Sequence, residues 1–106
     1  MLWRPTRGPK MAFDIEGKIG KRQCELLFEL ASQVTSGCVV EIGSFRGRST
    51  VALGLGSLAN SRVPVYAIDP HEAFTGALGG TFGPQDRTAF FKNMLRTGVT
   101  EVVRLI

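Results

Sequence analysis

Two acids with a glycine turn between them are the residues of this chain best placed to do chemistry. Glu41 lies in an apolar run at residues 38–42, Gly43 breaks the run, and Gly47 follows four residues later. Ser49 and Thr50 come next and can open a helix. A strand, a glycine turn and a helix start in so few residues let a ligand approach bare backbone N–H groups at the carboxyl end of a parallel strand. Asp69 ends a second apolar run, residues 65–69. An acid after the second strand of a βαβ unit accepts hydrogen bonds from ribose hydroxyls. Turn and acid together predict a nucleoside-binding half-site.

Three nucleotide ligands compete for it. The phosphate-binding loop G-x-x-x-x-G-K-[ST] needs one more residue between its glycines than Gly43 and Gly47 allow, and Arg48 stands where its lysine belongs. The dinucleotide pattern G-x-G-x-x-G puts Phe45 and Arg48 at its second and third glycines. Phe45 would obstruct a pyrophosphate, so a nicotinamide-dependent oxidoreductase is the weakest of the enzyme readings. S-adenosylmethionine carries no phosphate and needs less bare backbone. An acid at the end of the first strand can orient its amino-acid end, the turn can admit the sulfonium side, and Asp69 can take the ribose diol. For each acid there is a plainer role. Glu41 can pair with Arg46 or Arg48, and Asp69 can cap a turn with Pro70. His71 reads as an exposed loop residue rather than a catalytic base, and Arg46 and Arg48 read as solvated.

The elements that must position these residues follow from pattern. Residues 19–34 have a helical period, with Leu26, Leu27, Leu30, Ala31 and Val34 on one face and Glu25, Glu29 and Gln33 on the other. Ser36 and Gly37 stop it. Residues 38–42 predict an interior strand buried on both faces. Residues 49–58 predict a helix whose Gly54 and Gly56 permit close packing on the sheet. Pro64 can begin the second strand. Residues 72–85, with four glycines and a proline, predict a long flexible loop, either a lid or an ordinary surface segment. Asp86 can cap a helix to Thr97, with Phe90, Met94 and Leu95 inward and Gly98 past its end. Residues 102–106 predict a third strand. Helices alternating with strands imply a parallel sheet with right-handed crossovers.

Composition bounds the rest. The 106 residues suffice for one domain at most, and 43% hydrophobic against 21% charged residues exclude a disordered chain. The net charge of +4 is concentrated in Arg4, Arg7, Lys10, Lys18, Lys21 and Arg22. Those charges suit a phosphate-bearing partner or a membrane surface, but they are scattered and lack interleaved aromatics. A solvated tail is therefore favoured, with no nucleic acid or membrane partner. Residues 1–14 predict an irregular basic arm, residues 15–106 the cofactor-binding half of a domain, and Met11 is a second candidate start. Cys24 and Cys38 read as buried, reduced thiols, and with the lone His71 they make no metal cluster. The lack of an apolar stretch of membrane-spanning length or of a signal-peptide core predicts the cytoplasm.

The string Val39-Val40-Glu41-Ile42-Gly43-Ser44-Phe45-Arg46-Gly47-Arg48-Ser49-Thr50, with Val65-Tyr66-Ala67-Ile68-Asp69-Pro70-His71, resembles the class I S-adenosylmethionine-dependent methyltransferases. The resemblance is to the branch with an E-I-G-S-x-x-G-x-S-T turn, which includes sugar and natural-product O-methyltransferases, and it covers about residues 15–106. It implies a Rossmann-like α/β fold, here three parallel strands with flanking helices as the first half of a methyltransferase fold. It implies that Glu41, Gly43, Ser44, Phe45 and Gly47 line the methionine side and that Ser49 and Thr50 open the helix beneath. Asp69 is implied to bind the ribose hydroxyls, and Pro70 and His71 to lie beside ribose and adenine. The implied activity is methyl transfer to an oxygen of a small molecule or sugar. The family's sheet has seven strands and this chain supplies three, so the acceptor pocket and general base have no counterpart here. The chain is then expected to be marginal alone, a homo-oligomer, or completed by a C-terminal segment. The alternative is a non-catalytic nucleoside-binding or interaction module.

Overall fold

The computed structural model describes residues 8–106, so the arm's Arg4 and Arg7 lie outside the described residues. The chain builds α1 (Pro9–Phe13), α2 (Lys21–Ser32), β1 (Val39–Ile42), α3 (Arg48–Leu58) and β2 (Val65–Ile68). A hairpin of β3 (Phe74–Thr75) and β4 (Thr81–Phe82) follows, then α4 (Pro84–Thr97), a 3-10 turn (Val99–Glu101) and β5 (Val103–Leu105). The three longer strands form a parallel sheet in the order β1-β2-β5. The fold is therefore mixed α/β, a three-stranded parallel sheet flanked by helices. Among the described residues no helix is long and apolar enough to cross a membrane.

Register and pleat divide the sheet into two unlike faces. Val40 pairs with Tyr66 and Tyr66 with Arg104, whereas Val39 pairs with Val65 and Val65 with Val103. Side chains alternate along a strand, so each paired row belongs to one face. The face of Val39, Glu41, Val65, Ala67 and Val103 lies under the helices and belongs to the core with Val51, Leu55, Phe90 and Met94. The opposite face carries Val40 at 56% exposure, Ile42 at 77% and Ile68 at 36%. The expectation of a first strand buried on both faces thus fails. Cys38, expected to be buried, is exposed, while Cys24 is buried.

The helices are set by their ends and by small residues. The Gly20 N–H donates to Gln23 Oε1 at 2.9 Å, and the Gly83 N–H to Asp86 Oδ2 at 2.9 Å, each side chain reaching back one turn. Asp86 therefore sits inside the first turn of α4 rather than ahead of it. Gly98 ends α4 in the left-handed region at φ 78°. Met94 and Phe90 point inward as expected, but Leu95 is exposed. On α2 the inward residues are Cys24, Leu27, Phe28 and Ala31, and Leu26 and Leu30 are half exposed. Gly56 lets α3 press against the Phe28 carbonyl of α2, so its close approach is to a helix. Gly54 lets α3 approach Val99 and Val103, the latter a strand residue as expected.

Two segments are more ordered than expected. Part of the predicted irregular arm is the helix α1, whose Ala12 is fully buried, followed by buried Ile15. The predicted loop at 72–85 contains the hairpin, closed by Phe74 opposite Phe82 and Thr75 opposite Thr81. The Phe74 and Phe82 rings stack at 4.7 Å, and Phe82 meets Phe45 edge-on at 5.5 Å.

Candidate functional site

Parallel strands β1 and β2 end side by side, so Glu41, the turn at residues 43–47, Asp69 and His71 gather at one end of the sheet. The Gly43 N–H donates to the Ile68 carbonyl at 2.8 Å, which continues the ladder to the strand ends. Gly43 has φ 84°, and a Cβ there would meet nothing within 4 Å, so its outer side is open. Gly47, at φ 100°, is different. A Cβ there would fall 2.5 Å from Met94 Cε and 3.3 Å from Phe90, so this glycine admits α4 to the turn.

Glu41 lies on the covered face, only 9% exposed. Its two carboxylate oxygens accept hydrogen bonds from the Ser49 and Thr50 hydroxyls in the first turn of α3. Those hydroxyls do not cap the helix, which begins at left-handed Gly47 with no side-chain cap. Burial pushes the Glu41 carboxyl up, the two hydroxyl bonds pull it back down, and the nearby Asp69 charge adds to the rise; the net direction is up. Its position beside the helix N-terminus is a favourable one for an anion.

Asp69 is committed to the turn. Its Oδ2 accepts the Ser44 N–H at 3.0 Å and the Phe45 N–H at 2.9 Å, and its Oδ1 accepts the His71 N–H at 2.9 Å. Burial raises this carboxyl, but the amide bonds from His71 and Phe45, the His71 charge and the Ser44 amide outweigh it, and the net shift is downward. A carboxylate has about four lone-pair positions, and three are filled here, so one remains on Oδ1. The side chain keeps 18% exposure. The turn-capping role foreseen for Asp69 is thus realised, with the spare position as its remaining binding capacity.

His71 is buried, against the expectation of an exposed loop residue. Its Nε2 lies 2.8 Å from the Phe45 carbonyl and 3.5 Å from Ser44 Oγ, and its ring lies 5.6 Å from that of Phe90. Phe45 and His71 both have positive φ, 49° and 51°. Pro70 is exposed at the rim, and Ser44 is buried.

The two arginines are not solvated ornaments. Arg46 Nε donates to buried Asp86 at 2.9 Å and its Nη1 to Glu16 at 3.2 Å, and its carbonyl accepts from Asn93 at 2.9 Å. Arg48 donates to the Ile15 and Ile19 carbonyls and lies 4.7 Å over the Phe13 ring. These clamps fix the turn to α4 and to the segment before α2. Sequence gave no sign of them, because a backbone carbonyl acceptor has no residue-type signature. The Arg46–Asp86 pair could only have been sought as opposite charges forty positions apart.

Two clefts lie elsewhere. One of about 390 Å³ is lined by Pro9, Met11, Lys21 and Glu25, and a shallow one of about 700 Å³ runs along α2 past Arg22, Leu26 and Glu29. Neither includes the turn at residues 43–47. Among the described residues no three His, Cys, Asp or Glu side chains group as a metal site. No protein-family model matches this chain, and a search of curated proteins finds no match.

Proposed function

We propose that this chain is the cofactor-binding half of a class I S-adenosylmethionine-dependent methyltransferase acting on an oxygen of a small molecule or sugar. The observation that carries the proposal is the pair of strand-end carboxylates, Glu41 and Asp69, on adjacent parallel strands about an open left-handed Gly43. The nucleoside end of the cofactor fits these residues. Gly43 leaves space for a ligand, and the spare acceptor position of Asp69 suits one ribose hydroxyl. Glu41 holds the first turn of α3, on which the turn at residues 43–47 rests, through Ser49 and Thr50. When bound, the cofactor supplies a methyl group on sulfonium sulfur, open to in-line displacement by an acceptor oxygen. No described residue is assigned as the base that takes the acceptor proton.

A second reading, a non-catalytic interaction module, draws support from the exposed sheet face of Val40, Ile42 and Ile68. Calorimetric titration of the chain with S-adenosylhomocysteine, with NAD as control, separates the two. The expected result is binding of the thioether nucleoside alone. The variant Asp69→Asn should weaken it by about tenfold or more, the loss of a hydrogen bond to a charged acceptor. A folded sample that binds neither ligand leaves only the module.

A further inference from the structure

We propose that His71 is the positioning residue of the nucleoside turn, acting through the Phe45 carbonyl; this rests on the cofactor-binding reading above. A carbonyl can only accept, so the 2.8 Å contact requires the proton on Nε2. In the neutral ring Nδ1 is then left as an acceptor, and it is buried with no partner among the described residues. A ring kept only 2% exposed with one nitrogen unsatisfied is a poor choice for packing alone, where an apolar side chain would serve.

The bonds explain the choice. Phe45 is held at both of its peptide groups, its N–H by Asp69 Oδ2 and its carbonyl by the His71 ring. His71 is itself held by Asp69 Oδ1 through its own N–H. Asp69, Phe45 and His71 thus close a ring of hydrogen bonds. Two of the three, Phe45 and His71, sit in the left-handed region, which few non-glycine residues adopt. Such a conformation persists only where its surroundings over-determine it, and it clusters where function demands it. Without the imidazole bond, Phe45 is free to relax to negative φ. That would rotate the peptides on either side of it and carry the Ser44 and Phe45 N–H groups away from Asp69. The carboxylate would then lose its set direction toward a ligand hydroxyl.

Three variants separate this role from packing. His71→Gln keeps an N–H donor at about the reach of Nε2, His71→Asn places its donor too close to the backbone, and His71→Leu has none. S-adenosylhomocysteine should bind His71→Gln within about threefold of wild type, and His71→Asn and His71→Leu about tenfold or more weakly, the worth of one positioned hydrogen bond. Titrations are made well below each variant's unfolding midpoint. Wild-type affinity in His71→Leu, or a loss in His71→Gln as large as in His71→Leu, overturns the proposal. The chain has a single histidine, so its imidazole ¹⁵N signals are unambiguous. Recorded somewhat above neutral pH, they should report a protonated Nε2 and a bare Nδ1. The amide coupling constant that reports φ at Phe45 should move in His71→Leu but not in His71→Gln. The opposite tautomer, or an unmoved coupling constant in His71→Leu, overturns the positioning role even if wild type binds no nucleoside. That last result by itself would instead overturn the cofactor-binding reading.

Discussion

Glu41 and Asp69 share one end of the sheet yet respond to their surroundings in opposite directions. Burial dominates at Glu41 and raises its carboxyl above the ordinary value, despite the hydroxyl bonds from Ser49 and Thr50. At Asp69 burial also raises, but three amide donors and the His71 charge win and lower it. Linkage gives each a sign. A lowered carboxyl adds stability above its unfolded value of about 3.9, and that contribution is lost as pH falls through the folded pKa. A raised carboxyl holds its proton more tightly in the folded state. Its contribution is present below the unfolded value of about 4.3 and is lost as pH climbs from there through the folded pKa. Glu41→Gln removes this second dependence, since an amide can accept from one hydroxyl and donate to the other. The stability of the variant relative to wild type should therefore rise with pH from about 4.3 upward and level off once Glu41 is ionised in both states. Urea unfolding over that range checks it, and parallel curves would show that Glu41 is not strained by burial. The residue types at this site were evident from sequence, but their partners were not. An acid at a strand end can face a ligand or a helix, and only the register, which turns Glu41 to the covered face, decides.

At the scale of elements, the α2–α3 contact governs packing on the covered face. Gly56 lies so close to the Phe28 carbonyl that a Cβ would strike backbone, which cannot rotate aside. Gly56→Ala should therefore destabilise the fold by about 1–2 kcal/mol, an overpacking penalty of about 1–3 kcal/mol reduced by alanine's helix propensity. An unfolding midpoint lower by about 4–8 °C per kcal/mol would register it. A stabilised variant would mean that the helices sit farther apart than described. The same contact explains a misreading of α2. Two stripes with helical spacing overlap there, Leu26-Leu27-Leu30 and Cys24-Leu27-Phe28-Ala31. Bulk favours the first, but α3 comes so near that small Cys24 and Ala31 fit beneath it, and Leu26 and Leu30 turn outward. Periodicity gives a helix its existence and not its rotation, because the rotation depends on the neighbour. The three parallel strands, by contrast, lie within a residue or so of the expected runs, since short apolar runs bounded by glycine, proline and acid leave little choice. The hairpin of Phe74 and Phe82 was hidden by its glycines. Gly76 reads as loop, whereas it is the residue over which the Phe82 ring packs, since a Cβ there would lie 2.8 Å from that ring.

At the scale of the whole molecule, the described residues form a parallel sheet with one covered face. Parallel sheets occur almost only with both faces covered, and here Val40, Ile42 and Ile68 stand exposed on one side while β1 forms an edge of the sheet. Sequence could not announce this, because the apolar residues of β1 state what the strand is suited to and not what lies against it. The ladder residues Val39 and Gly43 turn their N–H groups toward β2, so those of Val40 and Ile42 point outward along the free edge. An apolar face beside an unpaired edge favours association, as unguarded edges generally do. The chain should therefore sediment with a concentration-dependent mass and bind an apolar-surface dye while folded. Val40→Lys with Ile42→Lys tests the cause rather than the outcome. Both side chains point away from the core, so the far-ultraviolet spectrum and the unfolding transition should change little. Two charges on the edge strand should repel a second sheet and cut both association and dye binding. The opposite row provides the control. Ala67→Lys, on the same sheet but beneath the helices and fully buried, should abolish cooperative unfolding, since an unpaired charge cannot be accommodated there. If wild type were a dye-negative, monodisperse monomer that unfolds cooperatively, the exposed row would be tolerated without a partner. The interaction-module reading would then lose the observation that favours it, and the turn between the strand-end carboxylates would be the sign of function left among the described residues.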